Sequence, residues 1–79
     1  MATAIIYGKA DCGACQSAKG LCIARDIEMD YKDLTSGDYT MDEFSELFPG
    51  ARTFPQVIYN GEKIGGFDQF NEATAPTGE

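Results

Sequence analysis

Apolar runs and breaks alternate along the chain at spacings that define strands and helices in turn. Residues 3–7, Thr3-Ala4-Ile5-Ile6-Tyr7, are a short, β-branched, continuous run ended by Gly8. That predicts a buried central strand. Residues 14–25 follow a helical period, with Ala14, Ala18, Leu21 and Cys22 on one stripe and Ile23 off it. Over residues 27–32, Ile27, Met29 and Tyr31 alternate with Glu28, Asp30 and Lys32. This is a strand whose charges suit a sheet edge or a partly solvated face. Asp33 to Asp38 is a loop broken by Thr35-Ser36-Gly37-Asp38.

Thr40-Met41-Asp42-Glu43 has the spacing of a capping box, with Tyr39 and Phe44 placed as a hydrophobic staple. The helix it opens runs to about Phe48, with Phe44, Leu47 and Phe48 as its buried stripe, and Pro49-Gly50 stops it. Gln56-Val57-Ile58-Tyr59, Asn60-Gly61 and Glu62-Lys63-Ile64 read as a β-hairpin with a type I′ turn. Pro55 stands at the start of its first strand, where a missing N–H is tolerated. Gly65-Gly66 ends the hairpin and lets another backbone come close. Phe67, Phe70 and Ala73 mark a last short helix, with Asp68 as its candidate cap, and residues 74–79 form a frayed tail.

The order β-α-β-α-β-β-α predicts an α/β domain, residues 1–79, with a mixed four-stranded sheet flanked by three helices. The first two strands, joined by a helix, run parallel with a right-handed crossover, and the hairpin adds two antiparallel strands. A chain of 79 residues has room for one small core. A formal charge of −7 argues against nucleic-acid binding, which needs a basic face. No apolar run approaches a membrane span, and neither a charged n-region nor a long h-region opens the chain. Three cysteines, an odd number, do not make a secreted disulfide framework. These features lead to the expectation of a soluble cytoplasmic protein without membrane or nucleic-acid partners.

Candidate chemistry concentrates in Lys9-Ala10-Asp11-Cys12-Gly13-Ala14-Cys15, between the first strand and the first helix. A C-x-x-C at such a junction suggests thiol–disulfide exchange. Cys12 falls about where an N-cap sits, so the free N–H groups and positive dipole end of the helix favour its thiolate. Cys15, one turn deeper, stays protonated until needed and closes the ring. Lys9 favours the Cys12 thiolate and Asp11 opposes it. The competing readings are a structural disulfide, half a zinc site, or two inert thiols. A loop this short removes little chain entropy, and a chain with no His and one further Cys lacks a zinc ligand set. Cys22, about 10 Å along the helix from Cys15, is out of disulfide reach and reads as a buried, apolar thiol.

Three segments together resemble the glutaredoxins, on the thioredoxin fold: Lys9 to Cys15, Thr53-Phe54-Pro55, and Ile64-Gly65-Gly66-Phe67-Asp68-Gln69. The similarity spans about residues 3–73 and is nearest in look to the small glutaredoxins of tailed bacteriophages, for which the compartment is the host cytoplasm. The resemblance implies a glutathione-dependent dithiol oxidoreductase with Cys12 as nucleophile, Cys15 as resolving thiol and a redox-active Cys12–Cys15 disulfide. It implies a cis bond before Pro55. Glutathione, a co-substrate rather than a resident cofactor, is expected along Thr53, Phe54 and Pro55, its cysteine part paired with the Phe54 backbone as an added strand pairs. Gly66, Phe67 and Asp68 are expected at its γ-glutamyl end, and Lys9 and Arg52 at its glycine carboxylate. The simpler readings are a solvated lysine for Lys9, a loop arginine for Arg52 and a helix cap for Asp68.

Ribonucleotide reductase is an expected protein substrate, no metal site is expected, and a monomer is. Two positions depart from the family pattern. Gly13-Ala14 replaces the more frequent Pro-Tyr, which loosens the turn and removes a partner contact. Phe67 replaces a small residue and narrows the expected groove, which makes thioredoxin reductase the alternative electron source. Gly13 also leaves space for the rival activity, a glutathione-assisted iron–sulfur cluster carrier.

Overall fold

The computed structural model describes residues 3–75. The elements are β1 (Thr3–Gly8), α1 (Gly13–Ala24), β2 (Glu28–Asp33), α2 (Met41–Leu47), β3 (Gln56–Tyr59), β4 (Glu62–Gly65) and α3 (Phe67–Thr74). They form a four-stranded sheet in the order β2-β1-β3-β4. β1 is central, parallel to β2 and antiparallel to β3, and β3 is antiparallel to β4. The α/β architecture is the one the chain pattern predicts, and the charged strand β2 lies at an edge.

Alternation along β1 and β3 divides the core between the two faces of the sheet. One cluster joins Ala4, Ile6 and Val57 to Ala18 and Cys22 of α1, Ile27, and Phe70 of α3. The other joins Tyr39, Phe44 and Phe48, with Tyr7, Phe54 and Ile58 packed against them. The capping box is complete: Glu43 N–H donates to Thr40 Oγ1 at 3.1 Å, and Thr40 N–H donates to Glu43 Oε1 at 2.8 Å. The staple forms too, with the Tyr39 and Phe44 rings stacked 6.0 Å apart. Asn60 and Gly61 take positive φ of 51° and 86°, as a type I′ turn requires.

Three expectations are corrected. Ala14 is exposed, and the buried stripe of α1 is Cys15, Ala18 and Cys22. Ala18 and Cys22 keep their places on the stripe, and in the first turn Cys15, about 100° round the helix from Ala14, is buried in place of the alanine. The last helix forms over the expected residues, with Phe70 buried and Ala73 exposed. Asp68 does not cap α3: Gly66 is the N-cap residue, and Gln69 Oε1 reaches back to accept the Gly66 N–H at 3.0 Å. Thr74 is not part of a frayed tail. It closes α3, its hydroxyl donating to Phe70 O at 2.8 Å and accepting from Arg25 Nη1 at 2.7 Å. Arg25 Nη1 also donates to Asn71 O at 3.0 Å, fastening the last turn of α3 to the end of α1. The rest of the expected tail, residues 76–79, lies outside the described residues.

Candidate active site

The chain leaves β1 at Gly8 and turns through Asp11, which takes a positive φ of 55°, tolerable for an aspartate. It then enters α1 with Cys12 as the N-cap in extended conformation. Cys12 Sγ accepts the Cys15 N–H at 3.2 Å, so a helix-terminal N–H is spent on the sulfur itself. Cys12 and Cys15 are joined as a disulfide with Cα atoms 5.2 Å apart. Cys12 is half-buried, whereas Cys15 is fully buried. This asymmetry suits one sulfur that meets a partner and one that waits behind it.

The second wall comes from the segment ahead of β3. The Phe54–Pro55 bond is cis, and Phe54 O lies 3.9 Å from Cys12 Sγ. Pro55 is buried. Phe54 is fixed from behind by Phe44, their rings stacked with centroids 4.8 Å apart. Lys9 Nζ lies 5.1 Å from the Phe54 ring centroid, a cation–π placement that brings its charge to this loop. Thr53 is exposed, and its backbone carbonyl accepts from Gln56 Nε2 at 3.1 Å. Arg52 is exposed.

Gly66 connects the third segment to the second. A Cβ on Gly66 would stand 3.4 Å from Pro55 O, the close backbone approach expected of the paired glycines. Phe67 turns inward and packs against the aliphatic cluster, while Asp68 is exposed in the first turn of α3. The structure therefore gathers Cys12, Cys15, Phe54, Pro55 and Lys9 at one end of the sheet, with Gly66 behind Pro55. An open groove of about 580 Å³ runs from the end of α2, at Phe48 and Pro49, past Thr53 to Gly66 and Gln69, and neither cysteine nor Lys9, Phe54 or Pro55 lines it. Among the described residues, no group of three or more His, Cys, Asp or Glu side chains stands where it could hold a metal ion, and no helix is long and apolar enough to cross a membrane.

The sequence pattern misses three residues around the thiols. Gly8 reads only as a strand break. In the structure, a Cβ there would stand 2.9 Å from Cys15 Sγ and collide with the Tyr31 hydroxyl. Tyr31 reads only as one member of an alternating strand, yet its hydroxyl donates to Lys9 O at 3.2 Å. Burial pushes the Tyr31 hydroxyl pKa up, as does the Asp33 charge, and backbone hydrogen bonding at Lys9 opposes both. Tyr39, read as a staple, also donates its hydroxyl to Gly8 O at 2.7 Å. Burial, with Tyr31, Asp33 and Tyr7 nearby, pushes its pKa up to about 12. The signal available for Gly8 was its place in a strand, since glycine there marks a close approach. Cys22 is buried and free as expected, and burial raises its pKa.

A family model described as Glutaredoxin matches residues 4–64. Among solved structures, the chain is similar to glutaredoxin 1 from Francisella tularensis complexed with cacodylate, at 23% identity and a TM-score of 0.78, over 95% of this chain and 93% of that one. It is likewise similar to reduced Escherichia coli glutaredoxin, at 23% identity and a TM-score of 0.75, over 90% and 91%. Actin interacting protein 5 shares the fold at 19% identity and a TM-score of 0.62, over 95% and 84%. No curated protein sequence matches the chain. The structural likenesses carry the fold, which is the thioredoxin-like fold predicted from the sequence.

Proposed function

We propose, from the premise that this chain belongs to the glutaredoxin family and is a thiol–disulfide oxidoreductase, that Cys12 is its attacking sulfur, Cys15 its resolving sulfur and glutathione its reductant. The observation that carries the reading is the placement of Cys12 Sγ. It accepts a helix N–H at 3.2 Å and faces Phe54 O at 3.9 Å, ahead of the cis-proline. A helix N-terminus stabilises the sulfur in its anionic form, and the thiolate is the nucleophile.

In the forward cycle the Cys12 thiolate attacks a substrate disulfide. The substrate leaves one of its sulfurs as a thiol and remains bound through the other as a mixed disulfide. Cys15 then attacks Cys12 Sγ, the Cys12–Cys15 bond forms, and the second substrate sulfur departs with the electron pair and takes a proton. Two glutathione molecules return the pair to dithiol and leave as glutathione disulfide. Glutathione mixed disulfides and protein disulfides are the substrate class, with ribonucleotide reductase the proposed protein partner, in the cytoplasm.

Glutathione lies extended along Thr53, Phe54 and Pro55 in this reading. Its glycine carboxylate meets Lys9 and Arg52 on one side, and its γ-glutamyl end meets the start of α3 at Gly66, Phe67 and Asp68 on the other, with the Asp68 carboxylate taking the ammonium. Support comes from the Lys9 charge over Phe54 and from the Gly66 approach to Pro55. The Gly66 N–H is already occupied by Gln69 Oε1, so the ligand must share or displace that bond. The experiment is turnover of a glutathione mixed disulfide with glutathione, glutathione reductase and NADPH. Turnover is expected, and Cys12→Ser takes it to background. Turnover with thioredoxin reductase and none with glutathione would overturn the choice of reductant while leaving the dithiol chemistry intact.

A further inference from the structure

The resolving sulfur has a chemical problem that the attacking one lacks. Cys15 is fully buried, so water does not solvate it. To attack the mixed disulfide it must carry negative charge, and a charge away from water needs a donor. Its own backbone N–H is directed at Cys12 Sγ. The polar side-chain atom that crowds the same space is the Tyr31 hydroxyl. It and Cys15 Sγ both press on the position a Cβ would take on Gly8, the sulfur at 2.9 Å and the hydroxyl closer still. Glycine at position 8 is what lets these two atoms share that space.

We propose that the Tyr31 hydroxyl is the hydrogen-bond donor to the Cys15 sulfur in the reduced protein and in the resolving step. In the disulfide form the hydroxyl donates to Lys9 O at 3.2 Å, longer than the usual O–H···O bond. When the ring opens, the Cys15 sulfur is released to turn towards the hydroxyl across the space that Gly8 leaves, and rotation about the C–O bond brings that proton to it. The ring is fixed by register, since Tyr31 pairs with Ile6 in the parallel β1–β2 ladder, and by Lys19, whose Nζ lies 4.2 Å from its centroid. The charged and titratable groups around it are Lys19 from α1, Asp33 from β2 and Tyr39, whose hydroxyl holds Gly8 O at 2.7 Å. The Tyr31 hydroxyl stays protonated beyond the ordinary tyrosine range, through burial first and Asp33 second. It therefore remains a donor across the working pH range.

The inference rests on Cys15 being the resolving thiol, and the experiment separates the two claims. Reduced protein is mixed with an aromatic disulfide reagent, Ellman's reagent, in a stopped-flow instrument. The first release of coloured thiolate reports attack by Cys12, and the second reports ring closure by Cys15. Tyr31→Phe is expected to slow the second phase about tenfold and to move its pH midpoint up by about one unit, the size expected for loss of a hydrogen bond to a charged group. The first phase keeps its rate. Tyr31→3-fluorotyrosine keeps the shape and strengthens the donor, so its midpoint moves down. Midpoints and second-phase rates equal to the parent's in both variants overturn the inference. A second phase that survives in Cys15→Ser overturns the resolving role itself.

Discussion

On one face of the sheet Ala4, Ile6, Val57, Ala18 and Cys22 meet where α1 packs, and these side chains are small or β-branched, with the Phe70 ring of α3 buried beside them. On the other face Tyr39, Phe44 and Phe48 meet Tyr7 and Phe54 ring on ring, with Leu34, Leu47, Ala51 and Ile58 around them. The difference follows from what each face must hold. Small residues let α1 lie close to β1, which is how the buried Cys15 comes within reach of Gly8. Rings are large and shaped, so they fix a loop at a distance: Phe44 stacks on Phe54, and Phe54 carries the cis bond that faces Cys12. The thiols are positioned by close approach, and the wall opposite them by aromatic stacking. The proposed active site lies where the two kinds of packing meet.

The largest test is Phe44→Ala. Phe44 is buried and touches Tyr39, Phe48 and Phe54. Its removal is expected to cost about 3–5 kcal/mol, a large part of the roughly 5–15 kcal/mol that holds a small domain. Urea denaturation reads the loss as a lowered midpoint. In the fraction that stays folded, glutathione turnover falls while the intramolecular closure of Cys12 with Cys15 persists, because the thiols rest on the other face. Equal damage to both steps would break the division of labour between the faces.

The mirror test is Gly8→Ala. The added methyl collides with the Tyr31 hydroxyl and stands 2.9 Å from Cys15 Sγ, and neither neighbour is free to leave. The expected cost is about 1–3 kcal/mol for overpacking, and here ring closure suffers first. A variant that closes its disulfide at the parent rate would show that the contact is slack. Cys22→Ser probes the same face further from the site. It places a hydroxyl where a buried thiol packed, at about 1–3 kcal/mol by denaturation, and the closure rate should not change.

The order and type of all seven elements were legible because each carries its own local signal: the capping box at Thr40, the Asn60-Gly61 turn, the unbroken run into Gly8. The position of Cys12 was legible for the same reason, since a helix start is a local event. Contacts between distant residues were not. Tyr31 and Lys9 are 22 residues apart, and nothing in an alternating strand says which of its side chains reaches a carbonyl. The bonds from Arg25 to Asn71 and Thr74 span 46 and 49 residues, so the last turn of α3 looked like tail. The Ala14 error is of another kind. Ala14 and Cys15 are both small enough to be buried, and one residue of register decides which of them is.

Tyr39 belongs to the aromatic cluster, yet its hydroxyl donates to Gly8 O beneath the thiols, so it couples the two faces. Tyr39→Phe keeps the ring and removes the bond. The Gly8 carbonyl also accepts the Leu34 N–H at 2.9 Å, so it is not left bare. The cost near neutral pH is therefore small, about 0.5–1.5 kcal/mol. The variant differs more in alkali. Folding raises the Tyr39 pKa to about 12, mainly through burial, from about 10 in the unfolded chain. The folded state thus holds its proton more tightly. Its contribution to stability is complete below about pH 10 and is lost as pH rises towards 12. Urea midpoints measured from pH 8 to 11.5 should fall more steeply for the parent than for Tyr39→Phe, the two curves converging at the alkaline end. Parallel curves would mean that the Tyr39 hydroxyl ionises without disturbing the strand end on which Cys15 rests.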